Sequence, residues 1–343
     1  MLNFTMKDNK HDVIQNSEIA SSEICQENNP LISICLTCFN AEDTIERAVN
    51  SALAQTWPNK EIIIVDDCST DKSFSILEKL SEKFNAIKIL SHRKNKGTAV
   101  SRNTLIDAAK GGFITFFDDD DESMPDRISA QYKCISEYEK TTGNKLVACY
   151  ASGERVYPNG YSLELEAIGC RGKVPVGELV ANYILFNERQ SDVFYGTGTP
   201  TCSLMAKAEV FHELKGFDQK FRRVEDMDFA VRLAIRGGAF IGCSEKLFIQ
   251  YATLGSDKSA LCNFEAETQL LDKHRKYLEK LNRYRYAKNW FYVRYCHFSG
   301  KRISMIRALI FAWFQNPILI SKHFIASAPK RMLHEIKMSL RKS

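Results

Sequence analysis

Four aspartates stand in a row at Asp118–Asp121, directly behind Phe116 and Phe117. Neighbouring carboxylates a few ångströms apart repel by roughly 4 kcal/mol at an effective dielectric typical of protein surfaces. Such a run is either a solvated acidic turn that caps the following helix, or a place where a cation binds. Mg²⁺ and Mn²⁺ prefer oxygen ligands, and Mg²⁺ commonly binds one or two carboxylates together with substrate phosphates.

Two further acidic pairs could do chemistry. Asp66 and Asp67 follow the apolar run 61–65, where Asp66 could cap the next helix or accept a hydrogen bond from a nucleobase N–H. Glu225 and Asp226 begin a segment of helical periodicity. A helix N-terminus favours ionised carboxylates, which also suits a general base, so the local pattern fits a structural cap and a catalytic role equally well.

The elements that position these residues alternate along the first third of the chain. The pattern predicts strands at 31–38, 61–65, 86–90 and 113–117, with helices at 40–55, 72–84 and 98–110. The strands are apolar almost throughout, which indicates a parallel sheet covered on both faces. The fold class is therefore α/β, a Rossmann-like doubly wound, mostly parallel sheet with right-handed crossovers.

Ligands of such sheets bind outside the carboxyl ends of the strands. If the strand order is 3-2-1-4, Thr37, Asn40 and the run Asp118–Asp121 surround one crevice. Beyond residue 144 the pattern predicts strands at 145–152 and 199–206, helices at 207–217 and 225–238, and a mostly helical region at 264–343. Residues 152–198 are predicted to be irregular, with a loop at 195–198 beside an acceptor.

Composition limits the class of protein. With 343 residues, 44% hydrophobic and 26% charged, the chain is typical of a globular protein of one large or two modest domains. The 11 cysteines have no metal-ligand or disulfide spacing, and Cys35 and Cys38 lie in an apolar run, which predicts buried thiols. We expect a reduced, cytoplasmic compartment, since residues 1–29 read as a loose polar leader without a signal-peptide pattern.

Three stretches together resemble the family 2 glycosyltransferases, inverting enzymes with a GT-A fold. They are ISICLTCFNAEDTIERAVNSALAQTWPNKEIIIVDDCSTD, NKGTAVSRNTLIDAAKGGFITFFDDDDESMPDRI and LKGFDQKFRRVEDMDFAVRLAIRGG, in order between about residues 31 and 255. The resemblance implies a domain at 30–260, with a nucleotide-binding half at 30–125 and an acceptor half at 145–260.

The resemblance also implies roles. Asp226 would be the general base and Glu225 would orient the acceptor, while Asp120 would be the main ligand of a Mn²⁺ or Mg²⁺ ion. The chain departs from the family pattern at Leu36, Ser101, Lys215 and the extra acid Asp119, which leaves the ligand assignment within 118–121 open by one position. The implied nucleotide or donor contacts are Thr37, Asn40, Asp66, Asp67, Arg102, Asp118 and Asp119, the implied metal ligands are Asp118, Asp120 and Asp121, and a weaker diphosphate contact is Ser256 or Lys258.

The charge distribution divides the chain. From residue 271 onward there are 17 Lys and Arg against 3 Asp and Glu, whereas residues 1–270 hold 30 against 39. The basic helical extension at 261–343 could lie on an anionic membrane surface through 264–343, on the inner face of the plasma membrane, or pack on the sheet domain. It lacks an uninterrupted apolar span. No nucleic-acid module accompanies its Arg and Tyr residues, so we expect no nucleic-acid partner.

The predicted function is transfer of a sugar from a nucleotide donor, a UDP-sugar, to a hydroxyl of a saccharide or lipid-linked saccharide acceptor in surface polysaccharide or glycolipid synthesis. Two alternatives remain. A sugar nucleotidyltransferase would share the α/β architecture, but its usual Gly-rich phosphate loop is absent behind the first strand, where the sequence reads TCFNAEDT. A non-catalytic scaffold at a membrane would need neither Asp120 nor Asp226.

Overall fold

A mixed sheet of nine strands forms the centre of the computed structural model, which describes residues 29–252, 259–323 and 325. Its order is β3-β2-β1-β4-β8-β6-β9-β5, with β7 paired to β6. The strands are β1 Ile32–Cys38, β2 Lys60–Asp66, β3 Ile87–Ser91, β4 Phe113–Asp118, β5 Glu122–Ser123, β6 Val147–Val156, β7 Ser162–Leu165, β8 Leu204–Lys207 and β9 Ala239–Tyr251.

Helices cover both faces of this sheet. In chain order they are α1 Ile45–Leu53, α2 Ser73–Lys83, α3 Thr98–Ala108, α4 Arg127–Thr142, α5 Glu178–Phe186, α6 Ala208–Glu213, α7 Glu225–Ile235, α8 Ala260–Lys273, α9 Arg275–Lys280, α10 Tyr284–Phe298 and α11 Arg302–Gln315. Residues 317–323 are again helical.

The predicted order 3-2-1-4 of the first four strands is confirmed, and all three pairings are parallel. In this register Thr37 lies opposite Asp118 on β4, and Cys38 lies opposite Asp66 on β2. The carboxyl ends of β1, β2 and β4 therefore meet at one edge of the sheet. The expected α/β class, with a helical C-terminal region, is thus the observed architecture.

Apolar side chains on both faces of the strands explain why these runs lack a polar face. On β1, Ile34 and Leu36 pack into the core beneath α1, α2 and α4, whereas Cys35 faces the core beneath α3, α6 and α7. Cys35 and Cys38 are both buried and unoxidised, as predicted. A parallel sheet with both faces covered requires near-continuous hydrophobic strands. This is why the strands in the first half of the fold could be predicted from the sequence.

The prediction that residues 152–198 are irregular is wrong, because β7 and helix α5 lie there. The predicted strand at 199–206 begins as a 3₁₀ turn at Thr201–Ser203 and becomes a strand only at Leu204. The long strand β9 was missed. Its apolar pattern is interrupted at 244–246, three exposed residues that coincide with a register shift against β6, and such an irregularity breaks the period of two on which strand prediction depends.

The C-terminal helices α8–α10 pack against the sheet domain. Leu270, Leu278 and Phe291 are fully buried in the same core as residues of α3, α6 and α7. Of the two interpretations for the extension, packing therefore holds for 260–298. None of the helices in the described part combines the length and apolarity required for a bilayer crossing.

Candidate active site

A cleft of about 510 Å³ opens at the carboxyl edge of the sheet, and a second cleft of about 1000 Å³ adjoins it. The two share the residues Phe39, Asp67, Thr98, Arg222 and Arg223. The smaller cleft brings together most residues expected from the sequence. Among the expected residues, those that line it are Thr37, Asp67, Arg102, Asp118, Asp119, Asp120, Glu225 and Asp226.

The carboxylates of the aspartate run differ in their role, because some make hydrogen bonds within the fold and others line the cleft. Asp118 ends β4, and Asp119 Oδ2 accepts a hydrogen bond of 2.9 Å from the main-chain N–H of Phe39, in the loop after β1. Asp119 therefore ties two strand ends together. Burial raises the pKa of Asp119 to about 7, with the neighbouring Asp120 and Asp118 charges adding to the shift.

Asp121 is the buried member of the run, and neither of its carboxylate oxygens has a hydrogen-bond partner. A carboxylate oxygen of Asp118, one of Asp121 and the Cys202 thiol sulfur all lie within 4.8 Å of one another. Burial and, after it, the charges of Asp118 and Asp120 raise the pKa of Asp121 to about 8. Unsatisfied carboxylate oxygens beside a second carboxylate are a donor set that fits Mg²⁺ or Mn²⁺.

Asp121→Asn is expected to raise the melting temperature in metal-free buffer at pH 7.5 by at least about 3 °C, given that 1 kcal/mol corresponds to about 1.4 °C in a protein of this size. The folded-state pKa of Asp121 lies above the unfolded value, so its ionised form destabilises the fold. The wild type should lose stability as pH rises from about 4 to 8, whereas the variant should lose less. Calorimetric melts across this range measure both.

Asp43→Asn, at an exposed aspartate, is the control and should leave the pH profile unchanged. Addition of Mn²⁺ should then raise the melting temperature of the wild type more than that of Asp121→Asn. Equal melting temperatures for wild type and Asp121→Asn at pH 7.5 would contradict a raised pKa of the buried Asp121 carboxyl.

Arg102 joins the aspartate run to the distant acidic pair. Its Nη1 donates a 2.7 Å bond to Glu225 Oε1, and its Nη2 lies 3.5 Å from Asp118 Oδ1. Burial opposes the charge of the guanidinium, but Glu225 and then Asp118 more than offset this and raise the pKa of Arg102 above its ordinary value. One buried cation therefore contacts both acidic clusters, and its hydrogen bond to Glu225 joins residues 123 positions apart in the chain.

Asp226 stands in the first turn of α7, partly buried beside Glu225. Burial raises the pKa of Asp226 to about 6, the Glu225 charge adds to the shift, and Arg102 opposes it. The preceding residue, Val224, has φ +57°. A β-branched residue in the left-handed region costs of order 1–3 kcal/mol and is typical of functional sites. Here it sets the direction in which the acidic pair enters the helix.

Sequence reasoning missed three arginines of the site. Arg222 and Arg223 line both clefts, and Arg223 Nε donates 2.7 Å to Asn263 Oδ1 on α8. The sequence RRVED could have indicated them, since a basic pair stands one residue before the acidic pair that begins the helix. Arg127 is buried beneath the aspartate run, where its Nη2 donates to the Phe116 carbonyl at 2.9 Å.

The other expected donor contacts have structural partners. Both oxygens of Asp67 accept from the main chain of Lys96, one also from Gly97, and His92 Nδ1 lies 2.6 Å from Oδ1. Asp66 is buried; its Oδ2 accepts a hydrogen bond of 3.2 Å from the main-chain N–H of Ser69, whereas its Oδ1 has no partner. The Asn40 side-chain oxygen accepts from the Thr70 N–H at 2.8 Å, so Asn40 fastens one loop to the next.

Asp228 fastens α7 to the C-terminal helices. Its fully buried carboxylate accepts from Arg232 Nε at 2.7 Å, Lys273 Nζ at 2.7 Å and His274 Nε2 at 3.0 Å. Burial alone would raise the pKa of Asp228, but the hydrogen bond from His274 and the two cations hold it at about 2. The helix that carries Glu225 and Asp226 is thereby anchored on α8.

The two weaker expectations have different outcomes. Tyr195 is 3% exposed and stacks on Tyr183 with ring centroids 4.4 Å apart, so it is a core residue rather than a wall of an acceptor loop. Ser256 and Lys258 fall outside the described residues.

Residues 33–203 match the model of the glycosyl transferase family 2 domain. The chain belongs to glycosyltransferase family 2. The matched region of this family 2 protein includes β1 to β4 and the aspartate run, and it ends before α7, which carries Glu225 and Asp226.

Known proteins similar to this family 2 chain include two curated relatives. It is 38% identical over 108 residues, 32% of the chain, to the putative teichuronic acid biosynthesis glycosyltransferase TuaG of Bacillus subtilis. It is 42% identical over 101 residues, 29% of the chain, to the UDP-Glc:alpha-D-GlcNAc-diphosphoundecaprenol beta-1,3-glucosyltransferase WfaP of Escherichia coli. The matches span 43% and 39% of these relatives, less than half of their length.

Among solved structures, S. aureus TarS 1–349 in complex with UDP is similar with a TM-score of 0.55 and 19% identity. The match covers 84% of this chain and 82% of that one. At this identity the likeness establishes the fold alone, and it confirms the GT-A class expected from the sequence.

Proposed function

We propose that this protein is an inverting glycosyltransferase that moves a sugar from a UDP-sugar to a hydroxyl of a lipid-linked saccharide during surface polysaccharide or glycolipid synthesis. The single observation that carries this proposal is the meeting of Asp118–Asp120 and Glu225–Asp226 across one cleft, joined by Arg102. One side of such a cleft can hold a cation and the donor diphosphate, and the opposite side can supply the general base.

Asp226 is the proposed general base. With a pKa of about 6 it is mostly ionised at neutral pH yet basic enough to take the proton of an acceptor hydroxyl. That hydroxyl attacks the anomeric carbon opposite the departing UDP, so one displacement inverts the configuration. The carboxylate of Glu225 is held by a 2.7 Å hydrogen bond from Arg102, and its proposed role is to position the acceptor. Because Glu225 is paired with Arg102, it does not compete with Asp226 for the proton of the acceptor hydroxyl.

The donor half holds the nucleoside diphosphate. Asp118, Asp120 and Asp121 are the proposed ligands of a divalent cation, which when bound supplies positive charge that offsets the diphosphate leaving group. Arg222 and Arg223 face the same cleft and add fixed positive charge near that group. Thr37 and the pair Asp66–Asp67 are the proposed contacts to the nucleobase of the donor. Asp67 lines the cleft, and the Oδ1 atom of Asp66 is a hydrogen-bond acceptor without a partner.

The names of similar proteins support the substrate classes. WfaP is named for a UDP-glucose donor and a diphosphoundecaprenol-linked acceptor, and TarS was solved with UDP. For this chain we propose a uridine-diphosphate sugar as the class of donor and a polyprenyl-diphosphate-linked saccharide as the class of acceptor. The proposal does not assign the individual sugar or the linkage.

Titration calorimetry with UDP tests the donor half. We expect UDP to bind in the presence of Mn²⁺ and to lose at least tenfold in affinity without it, and Asp120→Ala to lose the metal-dependent part. Asp43→Ala, at an exposed aspartate outside the cleft, is the control and should bind as the wild type does.

Equal UDP affinity with and without Mn²⁺ would contradict the cation assignment but leave the nucleotide pocket. Absence of binding for UDP, dTDP and GDP alike would overturn the transferase proposal and favour a scaffold.

A further inference from the structure

Large apolar side chains exposed to solvent are concentrated at one end of the molecule. Of the 13 such residues among those described, nine lie between 298 and 325. Phe314, for example, is 74% exposed. Single exposed apolar residues are ordinary on protein surfaces, whereas a contiguous group marks a binding surface.

Helix α11 is oriented with its small residues inward. Ala308 and Ala312 are buried toward α10, and the Ala308 carbonyl accepts from Asn289 Nδ2 at 2.9 Å. At the helical period the opposite side presents a stripe of large side chains along the length of the helix. We call this stripe and its continuation the α11 face: Ile303, Ile306, Ile310, Trp313, Phe314, Ile318 and Ile325.

An apolar groove of about 440 Å³ runs along the border of the α11 face. Five of the six residues that line it are apolar: Leu309, Ile310, Trp313, Ile320 and Ile325, with Ser321. A shallow groove with so little polar lining offers no hydrogen-bonding specificity, and it suits a hydrocarbon chain.

The positive charge around the α11 face indicates what kind of partner binds there. Residues 281–325 contain eight Lys and Arg and no Asp or Glu. On the helical wheel of α11, Arg307 borders the stripe on one side and Arg302 on the other, and both are exposed. A second copy of this chain, docked face to face, would bring two such basic segments together and be repelled. A partner with an apolar interior and a negatively charged surface layer complements this apolar stripe and the arginines on its two sides.

We propose that the α11 face is a docking surface for an anionic lipid bilayer. Because the stripe runs along α11 while the opposite side packs on α10, the helix lies parallel to the membrane plane. Ile306, Ile310 and Phe314 enter the acyl boundary, and Arg302 and Arg307 contact lipid phosphates. This docking does not rest on the proposed transferase reaction.

Co-sedimentation with vesicles tests the docking without nucleotide or metal. Vesicles of equal parts phosphatidylglycerol and phosphatidylcholine should bind the wild type, and pure phosphatidylcholine should bind it at least fivefold less. The double variant Ile306→Ser/Phe314→Ser should bind anionic vesicles at least tenfold less. Ile235→Ser, at an exposed isoleucine on α7, is the matched control and should bind as the wild type does.

Two further readouts separate docking from other outcomes. The fluorescence of the half-exposed Trp313 should shift to the blue on anionic vesicles, and thermal melts should show that the double variant folds. Unchanged vesicle binding by a folded double variant would overturn the proposal. So would a concentration-dependent dimer, seen by sedimentation velocity without lipid, that the double variant abolishes, because the α11 face would then be a protein interface.

Discussion

Asp226→Asn is expected to lower kcat by about 10²–10⁴-fold, the usual contribution of a positioned general base. The amide cannot accept the acceptor proton, yet its shape is unchanged and the cleft stays intact. UDP affinity should therefore stay within about threefold of wild type, since the proposed role of Asp226 is toward the acceptor and not toward UDP. Initial rates with the sugar nucleotide that supports turnover, together with calorimetry of UDP, measure the two quantities. Asp107→Asn, an exposed aspartate on α3, is the control.

The pH dependence of the same reaction identifies the base independently. Because Asp226 must be ionised to accept a proton, kcat/KM should fall about tenfold per pH unit below the pKa of about 6 and level off above it. The residual activity of Asp226→Asn should lack this limb. A variant that keeps more than a tenth of wild-type kcat, or keeps the limb, would assign the base to another group.

Arg102→Met is expected to cost about 3–5 kcal/mol of stability, because it leaves Glu225 as a buried charge without its cation. With about 1.4 °C per kcal/mol for a protein of this size, the melting temperature should fall by about 4–7 °C. Thermal or denaturant unfolding measures the change. Arg236→Met is the matched control, since that arginine makes an exposed ion pair with Glu213 and should cost under about 1 kcal/mol.

A second substitution tests the cause of this loss. Adding Glu225→Gln to Arg102→Met removes the stranded charge and should restore part of the stability, giving a coupling energy above about 1 kcal/mol in a double-mutant cycle. Additive losses would mean that Arg102 acts through packing against Phe217, whose ring centroid lies 5.5 Å from the guanidinium carbon, rather than through the ion pair.

The first half of the fold was predictable because its rules are local. Each parallel strand must be apolar on both faces, so Ile62–Val65 stood out as a run, and polar clusters had to follow at the carboxyl ends. The second half mixes antiparallel pairings and an irregular register. Strand β9, with three exposed residues at its bulge, satisfies neither the alternating nor the continuous apolar pattern.

The candidate site divides in the same way. The acidic residues were visible because carboxylates at strand ends and helix starts are conspicuous in sequence. Their partners were not: nothing local indicates that Arg102 binds Glu225, that Asn40 holds Thr70, or that Asp121 rather than Asp119 is the carboxylate with both oxygens unsatisfied. Such pairings depend on distances that only the folded chain defines.

The anchoring of Asp228 by Lys273 and His274 bears on how relatives of this protein could be recombined. A chimera that joined the sheet domain to another protein's tail would leave a fully buried carboxylate with Arg232 but without Lys273 and His274, two positions from the proposed base. The graft would have to carry a lysine at the end of α8 and a histidine directly after it, or replace Asp228 as well. Exchange of tails, and of any membrane preference they confer, is therefore constrained by the helix that carries the proposed base.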